Sequence, residues 1–168
     1  RKHITIDSNQ VNSDLTDFPL LVRVTDLDLK NKALSSGNDI LFTAADGITK
    51  LSHEIEKYDG ATGELVAWVK IPIVSGATDT GIFIYYGNAA ATNQQDITGT
   101  WNRNYQVVSH LSSNYLDSTI NNNGGTNSGT VSSTGIIGGA SSFNGINNYV
   151  QLANEANFDF ERTNTSTL

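Results

Sequence analysis

The sequence predicts an all-β protein built as a β-sandwich with one short helix. Two stretches and their punctuation carry that prediction. In residues 64–71, Leu65, Ala67, Val69 and Ile71 alternate with Val66, Trp68 and Lys70; in residues 81–86, Ile82, Ile84 and Tyr86 alternate with Phe83 and Tyr85. A period of two in β-branched and aromatic residues suits a pleated strand with at least one buried face. Glycine and aspartate turns recur at short spacing throughout the first hundred residues, which is the rhythm of a sandwich.

Taken in order, residues 1–7 read as a strand with Ile4 and Ile6 on one face and His3 and Thr5 on the other. Residues 8–17 are polar and turn-like. Residues 18–25 form a second strand, with Leu20, Val22 and Val24 inward, Arg23 outward, and Pro19 suiting an edge. An aspartate-capped helix runs from Asp26 to about Leu34 and is closed by Ser35-Ser36-Gly37. Residues 40–43 are a third strand, and Asp46-Gly47 is a hairpin turn returning through 48–51 into 53–58. Pro72 is expected to end the strand that starts at Glu64, because it cannot donate to a ladder. Residues 89–104 read as a connector. Beyond it lysine is absent and Asn, Gly, Ser and Thr dominate. There, residues 105–111 and 149–152 read as strands and 121–133 as a polar loop.

The chain has 168 residues, a formal charge of −7, and neither cysteine nor methionine. The charge argues against nucleic acid and anionic membranes as partners, which need clustered Lys and Arg. No apolar run approaches the ~20 residues needed to span a bilayer. Without cysteine there is no disulfide, thiol catalysis or thiolate metal site. Arg1 is expected to follow a removed signal peptide, a processing site or the boundary of an excised fragment.

Several motifs of the first hundred residues, in their order, resemble the domain of unknown function 2341 family. They are Asp14-Leu15-Thr16-Asp17-Phe18-Pro19, Asp39-Ile40-Leu41-Phe42-Thr43, His53-Glu54-Ile55-Glu56, Ala67-Trp68-Val69-Lys70 and Tyr85-Tyr86-Gly87-Asn88. The resemblance implies an exported or surface protein of a prokaryote and carries no established activity. Residues 105–111, Leu116-Asp117-Ser118-Thr119, Ile137-Gly138-Gly139-Ala140 and residues 142–150 are similar to the opening of a laminin-G-like, concanavalin A-like jelly roll. In that jelly roll acids are frequent where Asn144, Asn147 and Asn148 stand here. Together these imply a jelly-roll-like sandwich over residues 1–99 and a partial concanavalin A-like sandwich over 100–168.

Three groups of residues are candidates for chemistry. Glu54 and Glu56 alternate on one strand, roughly 6.5–7 Å apart by strand rise, a separation that glycosidase carboxylates use. The expectation is a solvated strand face, with a glycan hydrolase fragment as the least favoured function. Trp68, Tyr85 and Trp101 are the candidate ligand-binding aromatics, able to stack on sugar rings where exposed. Asp117, Asn121 and Asn123 offer the hard oxygen ligands that calcium takes, against the plainer reading that they form turns. No other cofactor is expected. His3, His53 and His110 are scattered singly, without zinc-ligand spacing. Asn164 heads the only glycosylation sequon.

The function expected from these residues is non-catalytic: an extracellular or cell-surface module for adhesion, with glycans or surface proteins as partners. The alternative is a structural subunit of an extracellular filament, self-associating by strand exchange at sheet edges.

Overall fold

The computed structural model describes residues 1–112 and 114–159. Asn164 and Phe160 lie outside the described residues. The chain divides into two compact units, Arg1–Asn102 and Arg103–Leu168. The division falls after Asn102 where the sequence placed it after Gly99.

The first unit is an all-β sandwich of two antiparallel sheets. One has the strand order β1-β7-β3-β4, made of Lys2–Ile6, Thr80–Tyr85, Leu41–Ala44 and Lys50–Leu51. The other has the order β2-β6-β5, made of Leu15–Thr25, Glu64–Val74 and His53–Asp59. The two strongest alternating stretches, β6 and β7, therefore do not pair with each other. Each is an inner strand of its own sheet, flanked on both sides. Val22, Leu65, Ala67, Val69, Ile71 and Val74 from one sheet meet Phe42, Leu51, Ile82 and Ile84 from the other in a single core cluster. Fully burying a side chain of this size stabilises by roughly 1.5–3 kcal/mol, so a pair of inner strands dominates the fold.

The helix α1 spans Leu27–Lys32 and starts where expected. The Asp26 side chain caps it by accepting the N–H groups of Asp28 at 2.8 Å and Leu29 at 3.1 Å. Leu29 is the one helical residue driven into the core. Asp26 also holds the ammonium of Lys2 on β1, which keeps its carboxyl below the usual range and ties the first strand to the helix. Gly63 passes so close to the helix start that a Cβ would stand 2.2 Å from the Asp26 carbonyl, and its φ of +78° also requires glycine.

Several details differ from expectation. Pro72 does not end β6, which continues to Val74. The pairing with β5 has already stopped at Val69, and Asp17, opposite Pro72, leaves the ladder with a φ of +48°. A missing donor is tolerated where only one neighbour remains. The second strand starts at Leu15, so its first three residues lie in the stretch read as turn. Val24 is 36% exposed rather than inward. Only Lys50–Leu51 of the expected return strand pairs. The connector is not featureless: Ile97–Thr100 forms a second short helix, α2, capped by Asp96.

In the second unit, β8 (Gly125–Ser128) pairs with β11 (Tyr149–Leu152), and β9 (Val131–Thr134) pairs with β10 (Gly139–Ser142). Two expectations fail here. Residues 105–111 form no strand, and the stretch 121–133 read as a loop supplies β8 and the start of β9. Among the described residues of this unit no hydrophobic side chain is buried; Ser118, Thr119, Asn123 and Thr130 are. The strand in 105–111 had a good pattern but no sheet to join, and β-propensity counts only with a partner.

Candidate binding site

The outer face of the three-stranded sheet holds the two tryptophans and two glutamates that the sequence singled out. A β-bulge between Ile55 and Lys57 makes Glu56 an extra residue on β5. Glu56 at the bulge and Glu54, in register opposite Trp68, both reach indoles: Trp68 Nε1 donates to Glu56 Oε2 at 2.9 Å, and Trp101 Nε1 donates to Glu54 Oε2 at 2.8 Å. The two indole rings lie 5.4 Å apart, tilted by 52°. The expectation of a solvated strand face is corrected at Glu54, which is 7% exposed beneath Trp101, itself 7% exposed. Val66 on the same face is fully buried.

What covers that face is the connector. Asp96 N–H donates to the His53 carbonyl, the Ile55 N–H donates to Gln95 Oε1 at 2.7 Å, and Ser52 Oγ donates to Asp96 Oδ2. The segment runs along the free edge of β5 and lays Trp101 over Trp68. The Ile55–Gln95 bond, made in a partly dehydrated place, holds the segment more firmly than an exposed one would. This arrangement is an anchor, since Trp101 offers no open ring face to a sugar.

Tyr85 lies on the opposite outer face, that of the four-stranded sheet, so the three candidate aromatics do not form one platform. Its hydroxyl accepts from Arg1 at 2.8 Å and donates to the Gly47 carbonyl at 3.0 Å. Beside it an open cleft of about 420 Å³ is lined by Tyr85, Tyr86, Asn88, Thr92 and Gln94 among others. Its floor is set by Asp39, which is buried and accepts the N–H groups of Leu34, Gly87 and Asn88. A buried carboxylate with three such donors is satisfied. It holds Gly87 in its left-handed turn, φ +91°. Asp39 and the Tyr85-Tyr86-Gly87-Asn88 motif, far apart in sequence, are thus one structural feature. Sequence reasoning missed Asp39, Thr92 and Gln94. The only signal was that an aspartate opened a strand motif.

In the second unit Asp117, Asn121 and Asn123 do come together. Asp117 accepts the N–H groups of Val108 and Thr119 on one oxygen and those of the Thr119 hydroxyl and Asn123 N–H on the other. Burial raises its pKa, and the surrounding N–H donors outweigh that and leave it lowered. Asn121 and Asn123 donate their amides to the Tyr105 and Gln106 carbonyls, while Asn123 Oδ1 accepts from Asn154 and Asn157. The cluster shapes its own loop. Among the described residues no group of three or more His, Cys, Asp or Glu gathers at metal-holding distance.

His53 points the other way, into the core of the first unit, with its ring 5.3 Å from Phe42 and no exposed surface. Burial lowers its pKa, and its Nε2 has no hydrogen-bond partner among the described residues. No helix of the described residues is long and apolar enough to cross a membrane.

A family model described as a domain of unknown function, DUF2341, matches residues 36–123, just over half of the chain, and the chain belongs to that family. The matched residues include Asp39, the glutamate–tryptophan anchor and the cleft, and they run on into the Asp117 loop. No curated protein and no solved structure matches the chain.

Proposed function

We propose that this member of the DUF2341 family is a non-catalytic adhesion module of the cell exterior that binds glycans at the cleft beside Tyr85. The observation that carries the reading is the composition of that cleft: two tyrosines next to Asn88, Thr92 and Gln94 in an open depression. Aromatic faces stack on the C–H face of a pyranose, and amide and hydroxyl groups match its hydroxyls. Glu54 and Glu56 are not offered as an acid–base pair, since each accepts an indole N–H and Glu54 is buried.

A panel of immobilised neutral and acidic polysaccharides tests the reading. Saturable binding that weakens in the Thr92→Ala/Gln94→Ala double variant supports it. Release of reducing ends that depends on Glu56 would overturn the non-catalytic part.

A second reading, a filament subunit, draws on the second unit, where Tyr149 and Leu152 are exposed on β11 and Val150 and Phe158 are half-buried. Open ladders with apolar side chains are templates for a strand from another copy. Reversible polymerisation of the whole chain that stops on truncation after Asn102 would favour it.

A further inference from the structure

We propose that the outer face of the four-stranded sheet selects glycans that carry carboxylates, such as polyuronates; this rests on the glycan-binding reading and narrows it to a chemical class. The register of the sheet places residues that are remote in sequence on one line across four strands. His3 is opposite Phe83, Phe83 is opposite Thr43, and Thr43 is opposite Lys50. Directly opposed residues share a face, so a histidine and a lysine flank a phenylalanine on the outside. Tyr85 lies two residues beyond Phe83 on the same face, opposite Leu41. The Arg1 guanidinium lies over both rings, 4.7 Å from the Phe83 centroid and 5.7 Å from that of Tyr85.

The result is a face with Arg1, His3 and Lys50 exposed around two half-buried rings. None of the residues on these lines is acidic. That is unexpected for a chain with a formal charge of −7. The carboxylate at the rim, Asp46, is engaged by the Thr49 hydroxyl and the N–H groups of Ile48 and Thr49. The face is continuous with the cleft: Tyr85 and Leu41 belong to both, and Lys50 Nζ donates to Gln94 Oε1 at 3.2 Å. A sugar unit held in the cleft beside the tyrosine would therefore carry its neighbour toward the cations. A planar carboxylate matches the guanidinium fork of Arg1, and the ammonium of Lys50 adds a second charge-assisted contact. A neutral glycan would leave both cations without gain.

The whole chain is tested against immobilised polygalacturonate, dextran and dextran sulfate at about 0.15 M salt, where distant charges are screened. The expected result is polygalacturonate bound at least about tenfold more tightly than dextran, equivalent to ~1.4 kcal/mol. The Arg1→Glu/Lys50→Glu variant should lose that preference while keeping the wild-type melting temperature. Both positions are exposed surface, so folding is not at stake. If dextran binds as tightly as polygalacturonate, the acidic selectivity is wrong and the glycan-binding reading stands. If the double variant keeps the preference, the location is wrong. A preference for dextran sulfate overturns the carboxylate assignment, and binding to none of the three overturns both readings.

Discussion

The two units of this chain are held together by different physics. The first encloses a dozen hydrophobic side chains, from Val22 to Ile84, between two sheets. In the second no described hydrophobic residue is buried, and Ile136 and Ile146 are almost fully exposed. Its described order comes from two short antiparallel ladders and from polar side chains: Asp117 with four donors, Asn123 bridging Gln106 to Asn154 and Asn157, and Asn127 bonding Thr130 through N–H, hydroxyl and carbonyl. A net hydrogen bond stabilises by about 0.5–1.5 kcal/mol, less than one buried leucine. Apolar burial is what offsets chain entropy; a polar network chiefly selects which conformation the chain adopts.

The sharpest way to break this comparison is to place a charge in the first core. Val69→Asp should unfold Arg1–Asn102 outright, since an unpaired buried charge costs several kcal/mol. A denaturant melt of the isolated first unit checks it, and an unchanged midpoint would mean that the face is misassigned. Next in size is the anchor. A chain ending at Gly99 lacks Trp101, and should be about 3 kcal/mol less stable than one ending at Asn102, the order expected for losing a buried tryptophan. Equal melting curves would show that Trp101 contributes nothing to the first sandwich.

Of smaller size is the loss of single carboxylate hubs. Asp39→Ala should destabilise the first unit by roughly 2–3 kcal/mol, because three N–H groups lose their acceptor. Asp117→Ala should instead leave the first unit's melting curve unaltered and raise amide exchange at Val108, Thr119 and Asn123, whose N–H groups it accepts. If added calcium raised their protection further in wild type but not in that variant, the loop would be a cation site rather than a turn.

The smallest effect is set by pH, and it separates the units by window. The His53 pKa is lowered by burial from 6.5, so the unfolded chain takes up its proton first. Stability of the first unit should therefore begin to fall as pH drops below about 6.5. Asp117 is lowered from 3.8, so its contribution persists at such pH and is lost only in stronger acid. Asp26, Asp46, Asp59 and Asp79, also lowered, add the same acid loss to the first unit. His53→Phe should flatten the change near pH 6 and leave the acid limb; a profile identical to wild type would refute the assignment.

Much of the fold was legible in the sequence, and the site far less so. The alternation in β6 and β7, the aspartate cap of α1 and the glycine turns each depend on a few neighbouring residues, and all appear in the structure where local chemistry put them. Trp68, Trp101, Glu54 and Glu56 were singled out individually, yet their pairing depends on a bulge and on a connector that folds back across β5, neither of which leaves a local trace. Strand 105–111 failed for the opposite reason, a good pattern without a partner.

What the sequence determined by itself was therefore periodic or short-range: the all-β class, the inward faces of the inner strands, and the change in composition near residue 100. The tertiary structure alone decided which strands pair, that β6 and β7 are inner strands of opposite sheets, and that Asp39 holds the Gly87 turn. It also gathered Arg1, His3 and Lys50 onto one face although they are up to 49 residues apart in number. Side-chain period is a property of each strand, whereas register and sheet partner are set by burying many faces at once, and that joint optimum is not written in any one segment.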